Sequence, residues 1–217
     1  MRIAIVGGHG KIALQLHPLL AAAGHTPVAL VRSAEYRAEL EELGAEARLL
    51  DLEQEEAPAY AAAFGGCEAV VFTAGAGADG NKDRKQTVDL EGSLKSMDGA
   101  HLAGIRRFVQ VSAINVDQPV PEDAGEVWAA YVAAKRDADI AVRRSDLDWT
   151  IIRPGRLTDE PGTGRVALGP DVERAEVPRA DVAAVLAAVL EDDRTIHHQW
   201  NLVSGEDTIT DAIAARA

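Results

Sequence analysis

Two short patterns in this chain bring together residue types suited to chemistry. The first is Ile3-Ala-Ile-Val-Gly7-Gly8-His9-Gly10-Lys11-Ile12-Ala13, an apolar run, a glycine-rich turn and the start of a helical pattern. Gly7 permits the tight turn, Gly10 lets backbone approach a pyrophosphate, and Ala13 is small enough for helix and strand to pack closely. A helix beginning near Lys11 and Ile12 offers free N–H groups and its positive dipole end to phosphates, and His9 in the turn can approach the same ligand. A Walker A loop is excluded, because its Gly-Lys-Ser/Thr ending is absent. The second pattern is Tyr131-Val-Ala-Ala-Lys135, whose spacing places both side chains on one helical face, one turn apart. A phenol ordinarily ionises near pH ~10. An ammonium beside it would lower that value and could also hydrogen-bond a ribose. Such a pair can deliver a proton to a carbonyl while a nicotinamide transfers a hydride.

The turn implies a dinucleotide, and the end of the next strand selects which. Pro27–Val31 is followed by Arg32-Ser33, where an acidic residue would serve the adenosine ribose hydroxyls and a cation serves a 2′-phosphate. Arg32 can pair with phosphate or stack on adenine, and Ser33 adds a hydroxyl. NADP(H) is therefore favoured, with NAD(H) possible. Asp51-Leu52 ends a third strand near the expected adenine, although Asp51 could equally be a helix cap. Thr73-Ala74-Gly75 ends a fourth, with side chains small enough for backbone to lie against the ligand.

Placing these residues requires a particular scaffold. Strands are expected at Arg2–Val6, Pro27–Val31, Ala45–Leu49, Ala69–Phe72, Phe108–Val111, Thr150–Arg153 and Trp200–Val203, several of them apolar on both faces as in a parallel sheet. Helical patterns fill the gaps; Val182, Val185, Leu186, Val189 and Leu190 define one, with Pro178 suited to its first turn. The fold class is α/β, a Rossmann-type doubly wound parallel sheet with helices on both faces. Ile114–Glu126 and Gly155–Val177 read as loops at the carboxyl edge, where such sheets bind ligands.

Residues 1–217 read as one domain, with a small substrate-loop region at about 154–178. The net charge of −13 opposes broad contact with nucleic acid, and no membrane partner is expected. A soluble cytoplasmic monomer or homodimer acting on a small molecule is the expectation, since Ile3–Val6 reads as a strand and not as part of a signal peptide. Cys67 is the only cysteine and reads as packing. His197-His198 lacks a third ligand, so no metal site is expected.

Taken together, these motifs resemble the atypical short-chain dehydrogenase/reductase family: single-domain NAD(P)-binding proteins that are epimerase/dehydratase-like or related to NmrA and flavin/biliverdin reductases. The carriers are Gly7–Ala13, Val31-Arg32, Asp51-Leu52, Thr73-Ala74-Gly75, Val88-Asp89 with Gly92, Arg107–Ser112, Tyr131 with Lys135, Thr150–Gly155 and Arg179–Val182, which span nearly the whole chain. The resemblance implies an extended cofactor along the sheet edge. Val111, Ser112 and Ala113 would lie beside it, Tyr131 and Lys135 would face the nicotinamide ribose, and Pro154, Gly155, Arg156 and Leu157 would lie near the nicotinamide. Ala113 departs from the pattern, standing where sugar-nucleotide epimerases carry a hydroxyl. Ser112 could substitute, as could Asn115 or Thr158. The expected activity is NADP(H)-dependent oxidoreduction of a small carbonyl or quinone-like substrate. The alternatives are a non-catalytic NAD(P)-binding redox sensor and an NADPH-dependent flavin or quinone reductase.

Overall fold

Ile3 and Ile5 belong to one buried cluster, Ala4 and Val6 to another, and all four are fully buried. A strand with both faces apolar must be covered on both sides, and the topology provides this. In the computed structural model, which describes residues 1–77 and 80–217, the chain begins β1 (Arg2–Val6), α1 (Lys11–Ala22), β2 (Thr26–Val31), α2 (Arg37–Glu42), β3 (Glu46–Leu49), α3 (Ala57–Ala63) and β4 (Ala69–Phe72). It continues with α4 (Gly92–Leu102), β5 (Arg107–Val111), α5 (Glu126–Arg144), β6 (Asp148–Pro154), β7 (Arg156–Thr158), β8 (Arg165–Gly169) and β9 (Glu176–Pro178). The last elements are α6 (Arg179–Leu190), β10 (His198–Ser204), β11 (Asp207–Thr208) and α7 (Ile209–Ala214).

Nine strands form the main sheet in the order β3-β2-β1-β4-β5-β6-β10-β8-β11. From β3 to β10 they run parallel, which requires crossover connections and so brings helices onto both faces. Leu16 and Leu20 of α1 and Val182 and Leu186 of α6 cover one face; Tyr60 of α3, Ala100 of α4 and Val142 of α5 cover the other. The expected doubly wound α/β class is the observed one. The chain winds outward from β1 to β3, then returns to lay β4 on the other side of β1. That reversal opens a crevice at the carboxyl ends of β1 and β4.

The segment expected as a loop over 155–177 instead contains three short strands joined by loops. β7 pairs with β9, and β8 joins the main sheet antiparallel to β10 and β11. Its connection is pinned by the buried Asp181 carboxylate, which accepts from the Gly164 N–H at 2.8 Å and the Thr163 N–H at 2.9 Å. The other expected loop holds: residues 112–125 carry neither helix nor strand. Ahead of α4, Lys85–Glu91 form a π-helical turn. No helix among the described residues is long and apolar enough to cross a membrane.

Candidate cofactor and active site

The glycine turn is built by close contact. Gly7 has φ +79°, and a Cβ there would lie 2.7 Å from the Ala74 Cα. A Cβ at Gly8 would lie 2.7 Å from the Ala29 Cβ, and the Gly8 N–H donates to the Leu30 carbonyl at 3.0 Å. These two residues wedge the turn between the ends of β4 and β2. Above Gly10, only the turn's own Gly7 oxygen lies within 4 Å of an added Cβ. No side chain caps α1 at Gly10, so its first amides are available to an anion. From below, buried His17 holds the Gly8 carbonyl through Nε2 at 2.7 Å; burial pushes its imidazole pKa down, so the neutral ring donates.

A groove of about 340 Å³ runs from this turn across the ends of β2, β3 and β4. Gly7, His9, Gly10, Arg32, Asp51, Leu52, Thr73, Ala74 and Gly75, all expected at the cofactor, line it. An uncapped helix start beside an open glycine, with a cation at the β2 end, fits a dinucleotide. His9 stacks on Tyr36 with ring centroids 3.7 Å apart and bonds Glu39 at 2.7 Å, so its ring is held at the groove's rim. Ser33 accepts the Glu35 N–H and thereby starts the Ala34–Tyr36 turn. Asp51 caps a turn by accepting the Glu53 N–H at 3.0 Å.

Other expected cofactor residues have different partners. The Lys11 ammonium reaches Asp159 at 2.6 Å, and Arg179 reaches the other oxygen of the same carboxylate at 2.6 Å. Ile12 packs in the core, leaving its backbone for a phosphate. Pro154 ends β6 and is buried. Gly155 donates to the Leu202 carbonyl at 2.8 Å, Arg156 pairs with Glu176, and Leu157 packs against the core.

Sequence reasoning missed several lining groups, among them Tyr36, Glu53 and Arg84. Burial would raise the Glu53 pKa, but hydrogen bonds from Thr87 and Arg84 and the charge of Arg32 outweigh it and hold the carboxyl below its ordinary range. The groove therefore carries anionic as well as cationic side chains.

Lys135 of α5 is buried and contacts the groove residue Ala74. Its ammonium sits 3.1 Å from Asp89, 3.4 Å from the Ala74 carbonyl and 3.3 Å from the Val111 carbonyl. Burial would lower its pKa, but Asp89, Tyr131 and Asp139 together outweigh burial and raise it. Tyr131 lies one turn back on α5, next to Trp128 at 5.4 Å between ring centroids. Among the described residues, nothing hydrogen-bonds its hydroxyl. The expected lowering of the phenol pKa is not what the surroundings produce. Burial raises it, Lys135 pulls it down by less, and the carboxylates of Asp89 and Asp139 push it further up.

Ser112 donates to buried Asp139 at 2.7 Å; Ala113 follows it, half-buried. Asp139 also accepts from Gln110 at 3.3 Å and from Arg153 at 2.8 Å. Burial pushes its carboxyl pKa up against the pull of these partners. A signal for Asp139 was present, since it continues the i+4 step from Tyr131 through Lys135. A second pocket of about 650 Å³ lies over Arg153, Gln199 and Asn201, with Asn115 and Gln118 on one side and residues 170–174 on another. Arg174 from its wall lies 6.0 Å from the Trp128 ring, which links this pocket to the neighbourhood of Tyr131.

The family described as NAD(P)H-binding matches residues 7–193. The uncharacterized sugar epimerase YhfK of Bacillus subtilis is 39% identical over 214 residues, covering 98% of this chain and 99% of its own. A solved structure from Bacillus halodurans, named provisionally as an NAD-dependent epimerase/dehydratase, superposes with TM-score 0.90 at 35% identity and covers 99% of both chains. The oxidoreductase ylbE from Lactococcus lactis superposes with TM-score 0.86 at 27% identity, covering 99% of this chain and 96% of its own.

Proposed function

Because this chain belongs to the NAD(P)H-binding family, we propose that it is an NADP(H)-dependent oxidoreductase of the atypical short-chain type, reducing a small carbonyl compound. The observation that carries this reading is the unpartnered Tyr131 hydroxyl one helical turn from Lys135, whose ammonium contacts the carbonyl of the groove residue Ala74, and beside Trp128, which Arg174 of the second pocket approaches. When bound, the nicotinamide supplies the hydride to the carbonyl carbon. Tyr131 donates its proton to the carbonyl oxygen, and solvent reprotonates it after the alcohol leaves. The α1 amides and Gly10 hold the pyrophosphate, and Arg32 takes the 2′-phosphate. Ser112 positions β5 through Asp139. The names of the relatives cover epimerase and oxidoreductase chemistry, and both are compatible with hydride exchange at a carbon bearing oxygen. The proposal includes a cytoplasmic location and a monomer or homodimer.

One observation favours a second reading, a nucleotide-occupied redox sensor that does no chemistry. The Ser112 proton is given to Asp139 and Ala113 offers none, so the substrate oxygen has one donor where the family usually has two. Flavin or quinone reduction is less well supported. Pro170 and Val172 are the apolar members of a second-pocket lining that is otherwise polar, a poor match for a flat apolar ring. A panel of aldehydes, ketones, quinones and flavins with NADPH separates the three. Oxidation with carbonyls supports the first reading, oxidation only with quinones or flavins the third, and binding without turnover the sensor.

A further inference from the structure

We propose that the second pocket recognises a carbonyl compound bearing a carboxylate, and that Arg174 is the residue that reads the carboxylate. The proposal rests on the carbonyl-reductase reading for what the bound molecule undergoes; the recognition itself is tested without turnover.

The floor of the pocket is polar by sequence. Gln199 and Asn201 alternate with Trp200 and Leu202 along β10, and the latter two enter the hydrophobic core. β10 lies inside the sheet, between β6 and β8. An inner strand of such a sheet ordinarily carries apolar residues on both faces, so the Gln199 and Asn201 face is not built as core. Asn201 donates to the carbonyls of Pro170 and Val172 at 3.1 and 3.2 Å. These bonds tie the β8–β9 connection to the sheet and fix where Arg174 leaves it. Gln199 accepts from Arg143 through Oε1, and none of the described residues accepts from its amide N–H groups.

Two guanidinium groups line the pocket, and they differ in what holds them. Arg153 on the floor is engaged by Asp117 at 2.6 Å and by Asp139 at 2.8 Å. Arg174 on the wall has no hydrogen-bond acceptor and no ion-pair partner among the described residues. Its guanidinium carbon lies 6.0 Å from the centroid of the Trp128 ring. A guanidinium against an aromatic face keeps its N–H edge free, and that edge matches a carboxylate through two parallel hydrogen bonds. Trp128 is 42% exposed, and its ring lies 5.4 Å from that of Tyr131. The guanidinium and the phenol therefore share one indole as a neighbour, which suits a molecule with an anionic group at one end and a carbonyl at the other. The remaining wall charges select among anions. Asp171 and Glu173 line the pocket with Arg174 and repel a ligand in proportion to its charge, so a phosphate dianion meets about twice the repulsion of a carboxylate.

The test titrates three related probes, 4-oxopentanoate, its methyl ester and 3-oxobutyl phosphate, in the presence of oxidised NADP, which cannot reduce them. Binding is read from the indole N–H resonances of 15N-labelled protein. The chain has three tryptophans, and Trp128→Phe identifies the resonance of Trp128. The oxo acid should shift that resonance and bind more tightly than the ester or the phosphate. Arg174→Ala should weaken the oxo acid by about 10–100-fold, the value of one or two charge-assisted hydrogen bonds, and leave the ester unchanged. Its melting temperature should be that of the wild type, because Arg174 is exposed and unpaired. Arg174→Lys should recover part of the affinity, since an ammonium keeps the charge and lacks the planar fork. Equal affinity for acid and ester, tighter binding of the phosphate, or an Arg174→Ala variant that keeps its affinity for the acid would overturn the proposal. So would a Trp128 resonance that moves with none of the three. Oxidation of NADPH is followed separately. Arg174-dependent binding of the acid without NADPH oxidation would sink the reductase reading and leave the pocket assignment standing.

Discussion

Arg153 donates through Nη1 to Asp117 at 2.6 Å and through Nε to Asp139 at 2.8 Å, so one buried guanidinium joins a solvent-facing carboxylate to an enclosed one. The first bond holds Asp117 below the ordinary carboxylate range. A carboxyl whose folded pKa is depressed stabilises the fold above its unfolded value of about 3.9, and that contribution is lost as the pH falls through the lower folded value. Asp117 is 47% exposed, so solvent screening limits the effect to about 1 kcal/mol. Asp117→Asn should therefore lower the urea midpoint at neutral pH, and the gap to wild type should close on strong acidification. A gap that persists undiminished in acid would remove the ion pair as its cause.

The glycine turn makes a separate prediction. At Gly7 both the positive φ and the 2.7 Å approach to Ala74 forbid a side chain. Gly7→Ala should cost about 1–3 kcal/mol of stability from backbone strain alone, and should abolish cofactor binding by moving the turn. Denaturation curves and a cofactor titration read the two effects. Wild-type affinity in this variant would mean that the turn does not hold the pyrophosphate.

Cofactor choice depends on opposed charges around one groove. Arg32→Ala should weaken NADP(H) binding by about 10–100-fold, the value of one or two charge-assisted hydrogen bonds, while changing NAD(H) little. Glu53→Gln should act in the opposite direction, since it removes an anion that lines the same groove and faces Arg84 and Arg32. Calorimetric titration of both variants with both cofactors reads the contrast. Equal losses for the two cofactors in Arg32→Ala would show that the arginine serves adenine or the pyrophosphate, with no preference for a 2′-phosphate.

The main strands were legible because their residues are apolar on both faces; β1 and β4 have the expected bounds. β7 and β9 were not legible, being three residues each, too short to carry a period, and held by pairing to each other. The groove residues on β1, β2 and β4 could be read because turn chemistry and strand ends are local. The arrangement around Tyr131 is not local. Spacing places Lys135 beside the phenol, but burial of the ring outweighs its pull, and Asp89, which adds to that, lies 46 positions from Lys135 in the sequence on a π turn that leaves no periodic signature. Lys11 is similar: it sits where a phosphate ligand would be, and a carboxylate from residue 159 occupies its charge.

The central claim is that Tyr131 gives the proton during NADPH-dependent reduction. Its most direct test compares wild type and Tyr131→Phe for loss of reduced-nicotinamide absorbance with the carbonyl compound that the wild type turns over best, alongside NADPH affinity in both. The account predicts a fall in kcat of about 10²–10⁴-fold, the range for one general acid, with NADPH affinity unchanged. A Tyr131→Phe variant that turns over at the wild-type rate would contradict it.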